Sequence, residues 1–367
     1  MKEKNRSLPA GIIIMILTFL PAQAQVEDIS LMLTGGVEDA ELMLTEYLRP
    51  LANALGANIN GGWYNTAKVH KLGGFDITFT ASVAFAPDEH KTYDLSQLPL
   101  NALYDDNIAN TIAGGKDIGP ELTYQQEILG NPVTYLQYDH PAGTGQDFIP
   151  SPMINAAVGL PKGFEVMGRY MPTVKIGNVK AGIWGAGFKH DVKQWIPGLS
   201  KMPVLQLAVM YGYTNVKVNT GLTSITPDMI GAEDLTTGNV NFDDQNFDVV
   251  IQGHTVNALV SANLPVVCFY GGVGVSITQS NLKLNGYYPI PTIITEPGDP
   301  NFGMPVVRDQ DALKDPIDIE IRNQDGGTTK PRLNAGVRFK FAVITLHFDY
   351  TWANYSVATA GVGVNIH

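Results

Sequence analysis

The chain has 367 residues, of which 44% are hydrophobic and only 16% are charged, and it contains a single cysteine. One cysteine cannot form an internal disulfide, and the lack of a CxxC pair excludes a structural zinc site or an iron–sulfur cluster of that kind. The 35 acidic against 24 basic residues give a formal net charge of −11, which argues against a nucleic-acid partner, since such a protein needs a basic face.

The N-terminal segment has the order of a secretory signal peptide. Basic residues at positions 2, 4 and 6 precede an apolar run at 11–20, and an Ala-Gln-Ala motif follows at 22–24. We therefore expect residues 1–24 to be a signal peptide that is cleaved after Ala24. The alternative is an N-terminal membrane anchor, which is disfavoured because the apolar run is too short to cross roughly 30 Å as a helix.

Residues 25–74 are predicted to form a short helical segment ahead of the main domain. Apolar residues recur at helical spacing between positions 44 and 55, while Pro50 predicts a kink or two short helices and Gly56 a helix stop. Glycines around an aromatic pair at 63–64 permit close backbone packing. Two interpretations stay open: a plug inside a barrel, or an ordinary helix under the barrel mouth. As a plug, the segment would contact a ligand in the lumen through Leu44, Tyr47, Leu48, Leu51, Trp63 and Tyr64.

Residues 75–85 alternate strictly between apolar and mostly polar side chains, which predicts a strand with two different faces. Eleven residues at roughly 3.3 Å each, tilted by roughly 40°, project to about 28 Å, close to the hydrocarbon thickness of a bilayer. The alternation returns at 205–214, 267–277, 344–352 and 358–366, and Tyr350 and Trp352 fall where an aromatic girdle would lie. No later stretch is long and apolar enough for a transmembrane helix.

The connections between candidate strands provide an independent test. Numbered from a periplasmic N-terminus, the even-to-odd connections are mostly tight, and the odd-to-even connections are long, as in outer-membrane barrels. The sequence therefore predicts an all-β fold, an antiparallel transmembrane β-barrel of about 12–14 strands over residues 75–367. The alternative, a soluble exported β-sandwich, is disfavoured by strand length and loop asymmetry. The twelve candidate strands are 75–86, 119–129, 133–138, 152–160, 163–173, 179–189, 203–217, 246–264, 266–280, 332–341, 343–352 and 356–366.

Two stretches resemble segments of an uncharacterised outer-membrane barrel family of Bacteroidetes-type bacteria: GGWYNTAKVHKLGGF at 61–75 and GFKHDVKQWIPGLSKMP at 187–203. That family is distantly similar to FadL-type transporters of long-chain fatty acids and other hydrophobic compounds. This second resemblance implies passive uptake of apolar molecules that pass a plug and leave laterally through the barrel wall. A kinked strand usually makes such an opening, and Gly or Pro within a strand is its sequence sign. The candidates are Gly168, Pro172, Gly185 and Gly187.

Motifs for catalysis are absent from the sequence: there is no GxSxG, no HExxH, no Walker-type loop and no GxGxxG that opens a helix. We therefore expect no enzymatic activity, no catalytic residues, no cofactor and no bound metal. Carboxylates in the region 281–331 are of the type that ligates calcium, but they lack EF-hand spacing, and solvated loop charge is the simpler interpretation.

The leading hypothesis is an outer-membrane channel or transporter for a small, hydrophobic, fatty-acid-like solute, gated by the N-terminal segment. Its expected partners are outer-membrane lipid and the solute, and the sequence does not define an oligomeric state. A second hypothesis is a non-transport barrel or exported β-domain that serves adhesion or assembly through the loops 218–245 and 281–331. A surface enzyme, which would need a Ser or His for hydrolysis, is the third.

Overall fold

The computed structural model describes residues 31–222, 224–323 and 325–366, so the predicted signal peptide lies outside the described residues. Ten long strands form one antiparallel barrel, in which each strand pairs with the next and the last pairs with the first. This confirms the predicted barrel. The strands are β1 Phe75–Phe85, β2 Phe148–Leu160, β3 Phe164–Ile176, β4 Val179–Asp191, β5 Leu205–Gly221, β6 Asn246–Asn263, β7 Val267–Asn285, β8 Thr329–Phe341, β9 Ile344–Trp352 and β10 Ser356–Ile366.

The barrel has ten strands rather than twelve to fourteen. The candidates 119–129 and 133–138 instead form a hairpin, Glu121–Ile128 with Asn131–Asp139, in a separate three-stranded sheet outside the barrel. The physical reason is the polar run Gln125-Gln126-Glu127, all exposed, which interrupts the alternation that a lipid-facing strand requires. The other ten candidates are correct to within a few residues at most ends.

The two faces of the strands differ as predicted. In β1, Asp76, Thr78, Thr80 and Ser82 are buried toward the lumen, whereas the apolar residues between them face outward. In β9, every second residue from Thr345 to Thr351 is buried, and the apolar and aromatic residues alternate with them on the exposed face. An apolar outer face around a polar interior is the arrangement of a barrel in lipid.

The two ends of the barrel carry different connections. At one, called here the turn end, the strands are joined by residues 161–163, 192–204, 264–266 and 342–343. At the other, the loop end, two tight turns at 177–178 and 353–355 accompany three long connections, 86–147, 222–245 and 286–328, together called the lid. The lid contains short strands, at Thr92–Asp94, Leu103–Tyr104, Ile108–Asn110, Glu121–Ile128, Asn131–Asp139, Glu233–Asp234, Tyr287–Pro289, Thr292–Ile293, Pro305–Val307, Ala312–Lys314 and Ile317–Ile321.

Residues 31–74, called here the N-terminal segment, begin with a 3₁₀ turn at Met32–Gly35 and continue as helix α1, Val37–Asn60. The helix is continuous across Pro50, so the predicted alternative of two short helices is wrong, as is the predicted stop at Gly56. Burial against the lid and the barrel wall holds the helix together across the missing N–H of Pro50. A Cβ on Gly56 would lie 2.5 Å from Thr278 Cγ2, so glycine permits close approach to the wall there.

The largest apolar core lies at the loop end, where the first part of α1 packs against the lid and against the loop-end halves of the barrel strands. In the described ranges no helix is both long and apolar enough to cross a membrane.

Candidate functional site: the filled lumen and the parted wall

The C-terminus of α1 lies inside the barrel, where two buried arginines of the wall bind its last carbonyl groups. Arg169 on β3 donates from Nη1 to Ile59 O at 2.6 Å and from Nη2 to Gly61 O at 2.8 Å. Arg332 on β8 donates to Asn60 O. Guanidinium groups at a helix C-terminus satisfy carbonyls that lack a partner within the helix and oppose the negative end of its dipole. The two arginines therefore fix the depth of the helix in the lumen.

Below the helix, Trp63 occupies a niche formed by glycines of the wall. The Arg169 guanidinium carbon lies 3.9 Å from the Trp63 ring centroid, a cation–π contact. A Cβ on Gly212 would lie 2.4 Å from Trp63 Cε2, and one on Gly187 would lie 3.2 Å from Cζ3. Both positions thus require glycine so that the indole can lie against the strands. The apolar neighbours are Ala67, Met167, Ala208, Met210 and Leu259.

Near the turn end, a buried carboxylate joins the N-terminal segment to the wall. Glu165 on β3 accepts from the backbone N–H of His70 at 2.9 Å, and its Oε2 lies 2.6 Å from His70 Nδ1. Its other oxygen lies 2.7 Å from Nζ of Lys189 on β4. All three side chains are almost fully buried, so each charge needs these partners to remain in the lumen.

The remaining space in this part of the lumen is small. A cavity of ≈ 30 Å³ lies between the N-terminal segment and the wall, next to Trp63, Glu165 and Lys189. This is room for about two water molecules. This cavity is too small for an organic solute.

The wall itself parts between β2 and β3 in its loop-end half. The β2–β3 ladder runs from Leu160 paired with Phe164 up to Ile154 paired with Tyr170, and among the described residues it continues no further. Above this point β2 pairs with β1 alone, and β3 pairs with β4 alone. A bulge between Met171 and Val174 bends β3 where it leaves its neighbour.

On β2, prolines stand at two positions where a backbone N–H would otherwise need an acceptor on β3. Gly159 exchanges backbone hydrogen bonds with Gly73 and Gly74, on the side of β1, and the β1–β2 register is continuous. Odd-numbered residues of β2 therefore bond toward β1, and even-numbered residues face β3. Pro150 and Pro152 are even-numbered and have no N–H to leave unpaired. Both are buried, so neighbouring groups cover the parting in this conformation.

A groove of ≈ 400 Å³ lies at the loop end, a size typical of small-molecule pockets. One side is the edge strand Asn131–Asp139 of the lid, with Tyr135 and Tyr138, and the other side is the turn at 229–231. Leu31, at the start of the N-terminal segment, also lines the groove. A ligand in the groove would therefore contact the segment that fills the lumen.

The predicted ligand-contact residues fall into two groups. Leu44, Tyr47 and Leu48 are buried in the loop-end core against the lid, and Leu51 packs at its border. Trp63 lies in the lumen at membrane depth, together with Tyr64, which is partly buried beside Tyr270.

Among the predicted lateral-opening residues, Pro172 lies in the bulge of β3 at the parting, and Gly168 faces outward just below it. Gly185 and Gly187 lie on β4, on the turn-end side of the bulge. A Cβ on Gly185 would approach Arg169, and a Cβ on Gly187 would approach Trp63.

Four of the buried charged residues of the lumen were not among the predicted site residues: Glu165, Arg169, Lys189 and Arg332. A signal was present, because Glu165 and Arg169 share the inward-facing parity of β3 with Met167. A charged residue at an inward-facing barrel position is equally typical of a water-filled lumen and of a contact with a plug. The position of the N-terminal segment therefore decides what these residues bind. Within the described ranges, no group of three or more His, Cys, Asp or Glu residues could hold a metal ion.

A family model described as "Family of unknown function (DUF6588)" matches residues 1–366. No curated protein shows significant similarity to the chain. Among solved structures, the chain is similar to the outer membrane protease OmpT from Escherichia coli, with a TM-score of 0.33 and 6% identity over 80% of this chain and 97% of that one. It is also similar to the translocator domain of the autotransporter NalP from Neisseria meningitidis (TM-score 0.27, 11% identity, 81% and 89% covered) and to the monoaromatic hydrocarbon channel TodX (0.27, 10%, 85% and 69%). Because all three TM-scores lie below 0.5, we take no functional inference from these neighbours.

Proposed function

The chain belongs to the DUF6588 family of unknown function, and from the geometry of this member we propose an outer-membrane channel that takes up a small hydrophobic solute. Membership agrees with the predicted resemblance to an uncharacterised barrel family. Under this proposal residues 25–74 act as a plug, and residues 75–367 form the barrel in outer-membrane lipid after export and cleavage at Ala24.

The parting between β2 and β3 is the observation that carries the proposal. A closed barrel wall normally pairs every backbone group that faces lipid, because an unpaired group there costs several kcal/mol. Here three prolines, Pro150, Pro152 and Pro172, lie at the parting, and the first two remove donors that would lack a partner. An opening of this kind suits an apolar solute, which can leave directly into lipid.

The rest of the path follows from the lumen. The loop-end groove, with Tyr135, Tyr138 and Met229, would receive the solute. The plug fills the lumen and must shift for the solute to reach the parted wall, since the cavity beside it holds only ≈ 30 Å³. β3 carries both the bulge and the plug contacts Glu165 and Arg169, so a shift of the plug acts on the strand that borders the opening.

A disulfide between the plug and the wall tests the proposal. Cβ atoms at positions 56 and 278 would lie 3.2 Å apart, slightly less than the roughly 3.5–4.5 Å of a disulfide, so a small outward shift of the helix allows the bond. We expect the double variant Gly56→Cys/Thr278→Cys, in a Cys268→Ser background, to lose uptake of the hydrophobic dye N-phenyl-1-naphthylamine when oxidised and to regain it on reduction. The Cys268→Ser protein and each single cysteine variant, treated identically, are the controls.

Two further measurements separate this proposal from its alternatives. Deletion of residues 26–65 should leave a folded, heat-modifiable barrel with raised permeability. Dye uptake that is the same in the oxidised and reduced states, with conductance unchanged by the deletion, would refute gated transport. Loss of partner binding on trimming 222–245 or 286–328 would then favour the adhesion hypothesis.

A further inference from the structure

The turn end of the barrel exposes large apolar side chains at nearly every connection. Leu72, just before β1, and Trp195, between β4 and β5, are 72% and 71% exposed. Val266 and Phe341, at the next two connections, are 53% and 54% exposed. Short turns that face water are normally polar, and apolar side chains gathered at one end mark an interaction surface.

The same end is the positive pole of an acidic chain. The connections 161–163, 192–204, 264–266 and 342–343, with residues 71–74 before β1, contain four lysines and no Asp or Glu. The three connections of the lid contain 23 acidic and 5 basic residues. Of the four lysines, Lys71, Lys162 and Lys201 are exposed, while Lys193 is buried and donates to Met202 O.

The length of the strands sets the turn end at the level of lipid headgroups. β9 has nine residues, which at roughly 3.3 Å each and roughly 40° tilt project to about 23 Å. The apolar band of such barrels is about 25 Å tall, so it extends past the end of β9 into the connection 342–343. Tyr350 and Trp352 lie at the loop end of β9, where an aromatic girdle marks one boundary of the band, so the turn-end side chains fall at the other boundary.

Trp195 is held with its apolar surface outward. Its Nε1–H donates to His190 Nε2 at 3.1 Å, and the His190 ring stacks on Phe164 with centroids 4.1 Å apart. The polar group of the indole therefore has a protein partner, and the exposed ring edge is apolar. An aromatic side chain next to lysines is the combination that binds at a bilayer interface.

We propose that the turn end is a binding surface for anionic phospholipid, in which Lys71, Lys162 and Lys201 contact headgroup phosphates and the apolar side chains enter the acyl region. Continuity with the lipid-facing wall and charge complementarity support this partner. The inference goes beyond the proposed transport, because it holds for any role of the barrel.

Quenching of Trp195 by bromine-labelled lipid tests the proposal. The mature protein with Trp184→Phe and Trp352→Phe is reconstituted in phosphatidylcholine vesicles that contain the same small fraction of brominated phosphatidylglycerol or brominated phosphatidylcholine. Subtraction of the same protein with Trp195→Phe removes the signal of buried Trp63. We expect the anionic lipid to quench more strongly, with a preference of up to roughly five-fold per lysine.

A matched pair of variants locates the effect at one end of the barrel. Lys162→Gln/Lys201→Gln should bring the ratio of quenching by anionic lipid to quenching by phosphatidylcholine closer to 1. Lys175 and Lys180 are exposed at the loop end of β3 and β4, and Lys175→Gln/Lys180→Gln should leave this ratio unchanged. Heat-modifiability on a gel verifies that each variant is folded. Equal quenching by the two lipids overturns the proposal. The proposal is also overturned if aqueous iodide quenches Trp195 and neither brominated lipid does. That result would mean that the turn end faces water and suits a protein partner.

Discussion

Arg169 contacts the N-terminal segment at three points, since it donates to the carbonyl groups of Ile59 and Gly61 and its guanidinium lies over Trp63. Thr214 also donates to Ile59 O, at 3.1 Å, so that carbonyl keeps a partner if the guanidinium is lost. The carbonyl of Gly61 depends more heavily on Arg169. A buried carbonyl without a partner costs about 1–3 kcal/mol.

We therefore predict that Arg169→Gln loosens the N-terminal segment by about 1–3 kcal/mol without opening the barrel. Labelling of the native Cys268 thiol reports this loosening, because Cys268 is buried in the wall with Sγ 3.6 Å from Thr66 Oγ1 of the N-terminal segment. Its maleimide labelling rate should rise by about ten-fold for each 1.4 kcal/mol lost. Arg322→Gln, on the exposed lid, should leave the rate unchanged. An unaltered labelling rate in Arg169→Gln would show that the Arg169 guanidinium does not hold the N-terminal segment in place.

Gly212 leaves the space that the Trp63 indole occupies against the wall. Gly212→Ala would put a Cβ 2.4 Å from Trp63 Cε2, and the indole must shift, which by analogy with overpacked cores costs about 1–3 kcal/mol. The temperature at which the fast-migrating folded band disappears on a gel should fall. Gly221→Ala, on the same strand with no atom within 4 Å of the added Cβ, should leave that temperature unchanged. Equal midpoints for both variants would contradict the tight niche.

The lid and the first half of α1 pack together as one unit. His140 lies at their junction, where Tyr93 Oη is 2.7 Å from its Nε2 and the ring meets Tyr47 edge-on. Burial lowers the pKa of His140 to about 4. The unfolded lid would bind a proton near the ordinary pKa of about 6.5, so acidification favours opening.

We predict that the lid loses stability as the pH falls from about 6.5 to about 4, by up to about 3 kcal/mol from His140 alone. Burial also lowers the pKa of His90 in the lid, which acts in the same direction. Protection factors of the amides in residues 88–147, each taken relative to the intrinsic exchange rate at the same pH, measure the effect at pH 5 and pH 7.5. His140→Gln should flatten the dependence, while His190→Gln at the turn end should not. Protection factors in the wild type that are the same at both pH values would exclude this coupling.

The sequence predicted those elements whose pattern depends on lipid. Alternation over β1 and β9 identified strands with an apolar outer face, because each second residue must suit hydrocarbon. The hairpin 121–139 differs from the prediction because its first residues alternate to suit the core of the lid, and the polar run at 125–127 then ends that alternation. The continuity of α1 across Pro50 and the partners of Glu165 depend on contacts between distant residues, which periodicity does not encode.

For the whole molecule, the barrel separates two chemical environments. Acidic residues are concentrated in the lid, and the turn end carries lysines and apolar side chains. The N-terminal segment connects the two ends, from Leu31 beside the loop-end groove to His70 beside Glu165 near the turn end. A ligand, a proton or a lipid that acts on one end therefore acts on a segment that reaches the other.

The pairing of β1 with β10 also determines the order in which the molecule can be assembled. Phe75 pairs with Ile366, so the wall closes between its first and last strands and cannot close before the last one is synthesised. The N-terminal segment is made before any of the wall, and its contacts with β3, β6 and β7 are available while the sheet is still open. The wall can thus fold around the segment, with closure of the seam as a late and slow step.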